Sequence, residues 1–156
     1  LGANTSSALI AKLNSSIHQA IIEIDPIIIR ACREYFFLDD LPNAEIINED
    51  AFVYIEKAAK SKKKFDAIVV DIFSGIAPFV ARGTEKPKFI NQIEKILKKD
   101  GIMIFNRPDD SEQARRSTRE LIKYLKNHFK DVKDDYIHDP RGYRNDVITV
   151  NNKPIV

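Results

Sequence analysis

Carboxylates recur at the ends of apolar runs in this sequence. Ala20-Ile21-Ile22 is followed by Glu23-Ile24-Asp25, Ile46-Ile47 by Asn48-Glu49-Asp50, and Ala67-Ile68-Val69-Val70 by Asp71. A carboxylate just past a strand can accept two hydrogen bonds from a vicinal diol, which is how a ribose is held in dinucleotide-binding sheets. It can also orient an amine or take its proton. Helix capping competes with both uses. Asp25 and Asp50 each stand directly before a helix, where an Asp side chain caps backbone N–H groups equally well. Glu23 lies on the strand itself. Asp71 is followed by Ile72-Phe73-Ser74-Gly75 and Pro78, a turn sequence rather than an immediate helix start. A set of three such acids, one per strand and all on one edge, argues for a site more strongly than any one of them.

Other chemistry-bearing side chains read as structure. Cys32 falls on the apolar face of a helix, as a core thiol does. His18, His128 and His138 are scattered without ligand spacing, so no metal site is expected. Arg115, Arg116 and Arg119 form a basic helix face, and Lys57, Lys60, Lys62, Lys63 and Lys64 crowd a helix end. Both read as solvated surfaces, with nucleic acid an unlikely partner. Phe73 and Phe79 stand near the third acid, where they could flank a ring or simply pack.

The elements that must position these acids follow from periodicity. A helix is expected over Ser6 to Leu13, with Asn4-Thr5-Ser6 as its capping turn. His18 to Glu23 is a strand, and Asp25-Pro26 starts a helix to about Phe36 whose apolar face is Ile28, Cys32, Tyr35 and Phe36. Ala44 to Asn48 is a second strand and Ala51 to Lys60 a helix. Phe65 to Asp71 is an uninterrupted apolar strand, expected to be central and covered on both faces. A helix over Lys88 to Lys98 should end at Asp100-Gly101, with Gly101 supplying a left-handed cap. Ile102 to Phe105 is the next strand and Ser111 to Phe129 a long helix. Val132 to Ile137 and Val147 to Val150 close the chain as a strand pair joined by the turn Asp139-Pro140-Arg141-Gly142. Strand–helix alternation of this kind predicts an α/β fold with a mostly parallel sheet, helices on both faces and an antiparallel edge strand.

Composition agrees. The chain has 156 residues, a net charge of +2, 44% apolar and 31% charged residues. That is enough for a single domain over residues 1–156 with one sizeable core. Near-neutral charge gives no global case for nucleic acid or a membrane surface. One cysteine excludes an internal disulfide framework. No apolar run is long enough to span a bilayer and no secretory signal opens the chain, so the expected setting is cytoplasmic.

Several runs also match a family. Ile22-Glu23-Ile24-Asp25-Pro26, Asn48-Glu49-Asp50-Ala51-Phe52, Phe65 through Gly75, Pro78-Phe79 and Leu97-Lys98-Lys99-Asp100-Gly101 resemble the spermidine-synthase-like class I S-adenosylmethionine-dependent transferases. The resemblance implies a Rossmann-like methyltransferase fold that binds S-adenosylmethionine or its decarboxylated form. By that resemblance Glu23, with Ile24 beside it, holds the cofactor ribose. Asp50, with Ala51 alongside, lies near the adenine amino group, and Asp71 lies beside the reacting centre. Gly2 and Ala3 belong to the glycine-rich first turn, where Ala3 and Asn4 replace family glycines. The strand that precedes this turn in the family is absent from the sequence given. Ser74-Gly75 occupies the place where aminopropyl-transferring members carry a second acid, and the N-terminal β domain of those members has no counterpart here.

These departures favour methyl transfer to a small acceptor as the expected reaction, since alignment of nucleophile and sulfonium can by itself supply ~7–11 kcal/mol. Aminopropyl transfer to a polyamine is the alternative, and a non-catalytic adenosyl-ligand-binding protein is the other. The expected partners are a small-molecule acceptor, an amine among the candidates, and a second copy of the chain in a homodimer.

Overall fold

The computed structural model describes residues 1–73, 82–138, 140 and 144–154. Ser74, Gly75, Pro78 and Phe79 lie outside the described residues, as does the Asp139–Gly142 turn except Pro140. The chain divides into two compact units, Leu1–Lys57 and Ala58–Val156.

The first unit holds α1 (Thr5–Leu13), β1 (Gln19–Glu23), α2 (Pro26–Tyr35), a 3-10 turn (Leu38–Asp40) and β2 (Ala44–Asn48), and it contains the start of α3 (Ala51–Lys60). β1 and β2 pair in parallel, with Ile21 opposite Ile46 and Glu23 opposite Asn48. Asp25 Oδ1 accepts from the Ile27 N–H at 2.8 Å and Pro26 takes the first helical position, so α2 starts as its sequence requires. The core joins Ile21, Ile29, Cys32 and Leu38, with Leu41 and Ile46 packed against them. The expected face of α2 is corrected here. Ile29 and Cys32 are its buried residues, whereas Ile28, Tyr35 and Phe36 are exposed. Ile28 and Ile29 are both apolar, so periodicity alone cannot say which one leads the buried stripe. Packing on Ile21 and Leu38 decides it.

The second unit holds β3 (Phe65–Val70), α4 (Pro87–Ile96), β4 (Leu97–Pro108), α5 (Glu112–His128), β5 (Phe129–His138) and β6 (Arg144–Pro154). Strand order is β3-β4-β6-β5. β3 and β4 are parallel, and β6 is antiparallel to both of its neighbours. The antiparallel strand therefore lies inside the sheet and β5 forms the edge. Composition explains the order: Ile148 and Val150 of β6 are fully buried, whereas most of β5, including Lys130, Asp131, Lys133 and Asp134, is exposed. Charged side chains on an edge strand oppose pairing with other chains. α5 buries Ala114, Thr118, Leu121 and Leu125, one stripe at helical spacing, and Ser111 Oγ caps it by accepting from Ala114 N at 3.1 Å.

Within its unit β3 pairs with β4 among the described residues, and Val69 is 50% exposed. One further expectation is corrected: Gly101 does not cap a helix. α4 ends at Ile96 and β4 begins at once with Leu97. Phe65 pairs with Leu97 and Ala67 with Ile102, so Lys98 to Gly101 bulge opposite Asp66. A Cβ on Gly101 would lie 2.6 Å from Leu97 Cγ and 3.0 Å from the Asp66 carbonyl oxygen. The glycine is there for close approach, not for a left-handed φ.

Candidate active site

In the first unit Glu23 and the opening turn come together. Asn4 N donates to the Leu1 carbonyl at 3.1 Å, closing a turn in which Gly2 has φ +53° and Asn4 φ +61°. Both lie in the left-handed region, which Gly enters freely and Asn tolerates. The Asn4 side chain does not cap α1, contrary to expectation. It is buried, and Nδ2 donates to the Phe36 carbonyl at 3.3 Å. Its Oδ1 has no partner among the described residues. Cys32 Sγ donates to the Gly2 carbonyl at 2.8 Å, and burial pushes the thiol pKa up. The thiol is a core group that also braces the turn. Ala3 is exposed.

Glu23 faces this turn. Its carboxylate is 15% exposed, Oε2 accepts from the Leu1 nitrogen at 3.0 Å and Oε1 from Asp25 N at 2.9 Å. Asn48 Nδ2 donates to the carbonyls of both Glu23 and Ile24 at 2.9 Å, locking the ends of β1 and β2 together. The Ile24 side chain is 62% exposed. Asp50 caps α3: Oδ1 accepts from Phe52 N at 2.7 Å and Val53 N at 3.2 Å, beside the half-buried Ala51. Capping occupies one of its oxygens, and Oδ2 has no hydrogen-bond partner among the described residues.

Asp71 belongs to the second unit, just past β3. Its exposed carboxylate accepts at Oδ1 from Asn106 Nδ2 at 2.8 Å. Asn106 Oδ1 in turn accepts from Asn145 Nδ2 at 2.9 Å. Phe73 is 45% exposed.

The strand Ile102 to Phe105 is followed by Asn106-Arg107, and beside this edge lies a buried cluster that strand-end position alone does not foretell. Arg107 is 2% exposed, donating to Thr84 Oγ1 at 2.6 Å and to Ser117 Oγ at 2.7 Å. Burial lowers its pKa, and the Glu85 charge works the other way. Burial alone would raise the Glu85 carboxyl. Backbone N–H groups, including Gly83 N at 2.9 Å, and Lys86 outweigh that and hold it below its usual range. Alternation along β4 is the signal that places Arg107 inside: Met103, Phe105 and Arg107 are buried, with half-buried residues between them. Arg115, Arg116 and Arg119 pair with Asp109, Glu112 and Glu120, as a solvated helix face does.

The sequence profile of the spermine/spermidine synthase domain matches residues 7–151. The chain belongs to this family. The polyamine aminopropyltransferase of Vibrio vulnificus is 27% identical over 106 residues, covering 68% of this chain and 35% of that protein. Polyamine aminopropyltransferases of several Pyrobaculum species match as well. The N-terminal histidine N-methyltransferase of Emericella nidulans is 35% identical over 103 residues, 64% of this chain and 18% of that protein. The chain thus spans about a third or less of these two relatives' length. Among solved structures, human methyltransferase-like protein 13 in complex with SAH superposes with a TM-score of 0.82 at 18% identity, over 97% of this chain and 68% of that one. The fold of this spermine/spermidine synthase domain is therefore the α/β Rossmann-like methyltransferase fold.

Proposed function

We propose that this spermine/spermidine synthase domain, taken as one cofactor-binding domain over residues 1–156, serves a transferase that moves an aminopropyl group from decarboxylated S-adenosylmethionine to a polyamine amine. The profile match over residues 7–151, with Asp71 retained after β3, carries this reading. The curated aminopropyltransferases weigh the same way, against the methyl transfer expected from sequence.

The residues present suit such a ligand. A carboxylate offers about four lone-pair positions, and Asp25 N takes one of them at Oε1, so positions remain for the ribose hydroxyls. Asp50 Oδ2 is left for the adenine amino group. The Gly2 turn, braced by Cys32 and Asn4, presents backbone to the rest of the cofactor. Asp71 attracts the acceptor ammonium, takes its proton and leaves a nucleophilic amine. The sulfonium supplies the leaving group.

Methyl transfer is the second reading, because Ser74-Gly75 stands where the resemblance places a second acid. Thermal shift of the full-length protein with each cofactor form separates the two. Saturating ligand at about 100 times its Kd adds about 2.7 kcal/mol to stability. Aminopropyl transfer predicts the larger shift with decarboxylated S-adenosylmethionine. A larger shift with the carboxylated form overturns it in favour of methyl transfer.

A further inference from the structure

We propose that Asn106 and Asn145 are positioning residues that set the orientation of the Asp71 carboxylate; the inference rests on the reading of Asp71 as the group that takes the acceptor's proton. The three side chains form a directed chain, Asn145 Nδ2 to Asn106 Oδ1 at 2.9 Å and Asn106 Nδ2 to Asp71 Oδ1 at 2.8 Å. An ionised carboxylate can only accept, so the Asn106 group facing it must be the amide nitrogen. That leaves Asn106 Oδ1 pointing the other way, where it needs a donor, and Asn145 Nδ2 supplies one. Each link fixes the next, and the outcome is an Asp71 carboxylate with Oδ1 engaged. Oδ2 has no partner among the described residues.

The sheet order makes this possible. Asn106 lies opposite Val147 and Asn145 opposite Pro108, so the two amides are diagonal neighbours across the β4–β6 pair. Asp71 follows β3, which pairs with the other edge of β4 in parallel. Had β6 formed the outer edge of the sheet, Asn145 would lie a strand away from Asn106. The relay is thus built from strand ends rather than from a loop, which suits a proton acceptor whose reach must hold to a few tenths of an ångström. Nothing in the spacing of residues 71, 106 and 145 announces it.

The kinetic test uses the full-length protein. Asn106→Ala should lower kcat about tenfold, the loss of one orienting hydrogen bond, with cofactor affinity and melting temperature nearly unchanged. Asn106→Asp, although isosteric, should be worse than Asn106→Ala, because it turns a donor into a second carboxylate against Asp71. A merely structural role predicts instead that the melting temperature falls along with kcat. Asn145→Ala should cost about threefold, by freeing the Asn106 amide to rotate. In an Asp71→Asn background, Asn106→Ala should add nothing further. Wild-type turnover in Asn106→Ala, or Asn106→Asp milder than Asn106→Ala, overturns the proposal.

The side-chain amide resonances of Asn106 give a readout independent of turnover. They should shift in Asp71→Ala and in Asn145→Ala. If they do while the wild-type protein transfers nothing from either cofactor form, the relay stands and the functional reading fails. If they do not move, the relay itself is refuted, whatever the activity.

Discussion

At the scale of single residues, the acids divide by what already engages them. Asp25 is a cap and no more: its side chain accepts from Ile27 at the start of α2. Asp50 is both a cap and a partly free carboxylate. Glu23 is neither at a helix start nor idle, since it accepts from Asp25 N and the Leu1 nitrogen while facing the glycine turn. Glu23→Ala should weaken cofactor binding by ~1–3 kcal/mol, the cost of leaving hydroxyl donors unpaired. Titration calorimetry on the full-length protein checks this, with Glu23→Gln as the control that keeps the acceptor oxygen and drops the charge. Equal affinity in a folded Glu23→Ala protein removes Glu23 from the site.

At the scale of elements, the boundary between α4 and β4 is the instructive case. Helix becomes strand with no intervening loop, and the chain absorbs the change in a bulge at Lys98 to Gly101. Gly101→Ala puts a methyl group against buried Leu97 and against the backbone of β3, neither of which can withdraw cheaply. The expected cost is ~1–3 kcal/mol in chemical denaturation, the range of an overpacked core site. A loss of only a few tenths would mean that the bulge is soft.

At the scale of the whole molecule, stability should carry a pH signature from the inner strand β6. Burial raises the Asp146 pKa, and the nearby carboxylates of Asp134 and then Asp109 add to it. The folded chain therefore holds this proton more tightly than the unfolded chain. Ionising Asp146 costs stability as pH rises through its folded value, and the cost is absent below the ordinary Asp value of 3.8. Asp146→Asn should accordingly melt higher than wild type at neutral pH, with the difference vanishing in acid. Melting curves from pH 3 to pH 8 test this. A difference that ignores pH, or favours wild type at neutral pH, would rule the mechanism out.

The sequence by itself determined the element order, the bounds of β2 and α3 and the strand-end position of Glu23, Asp50 and Asp71. These follow from local rules: an apolar run ends where a polar residue must, a Pro follows a capping Asp, and a helix repeats every three to four residues. Tertiary structure decided the rest. Only packing chose Ile29 over Ile28 as the buried residue of α2, because both satisfy the same period. Only strand pairing put β6 inside the sheet and β5 at its edge, because a turn joins two strands without saying which one the sheet accepts. The Asn145–Asn106–Asp71 chain and the Arg107–Thr84 hydrogen bond depend on contacts across 39, 35 and 23 positions of sequence. Hydrogen bonds between side chains so far apart leave no periodic trace, since what brings them together is the register of one strand on another.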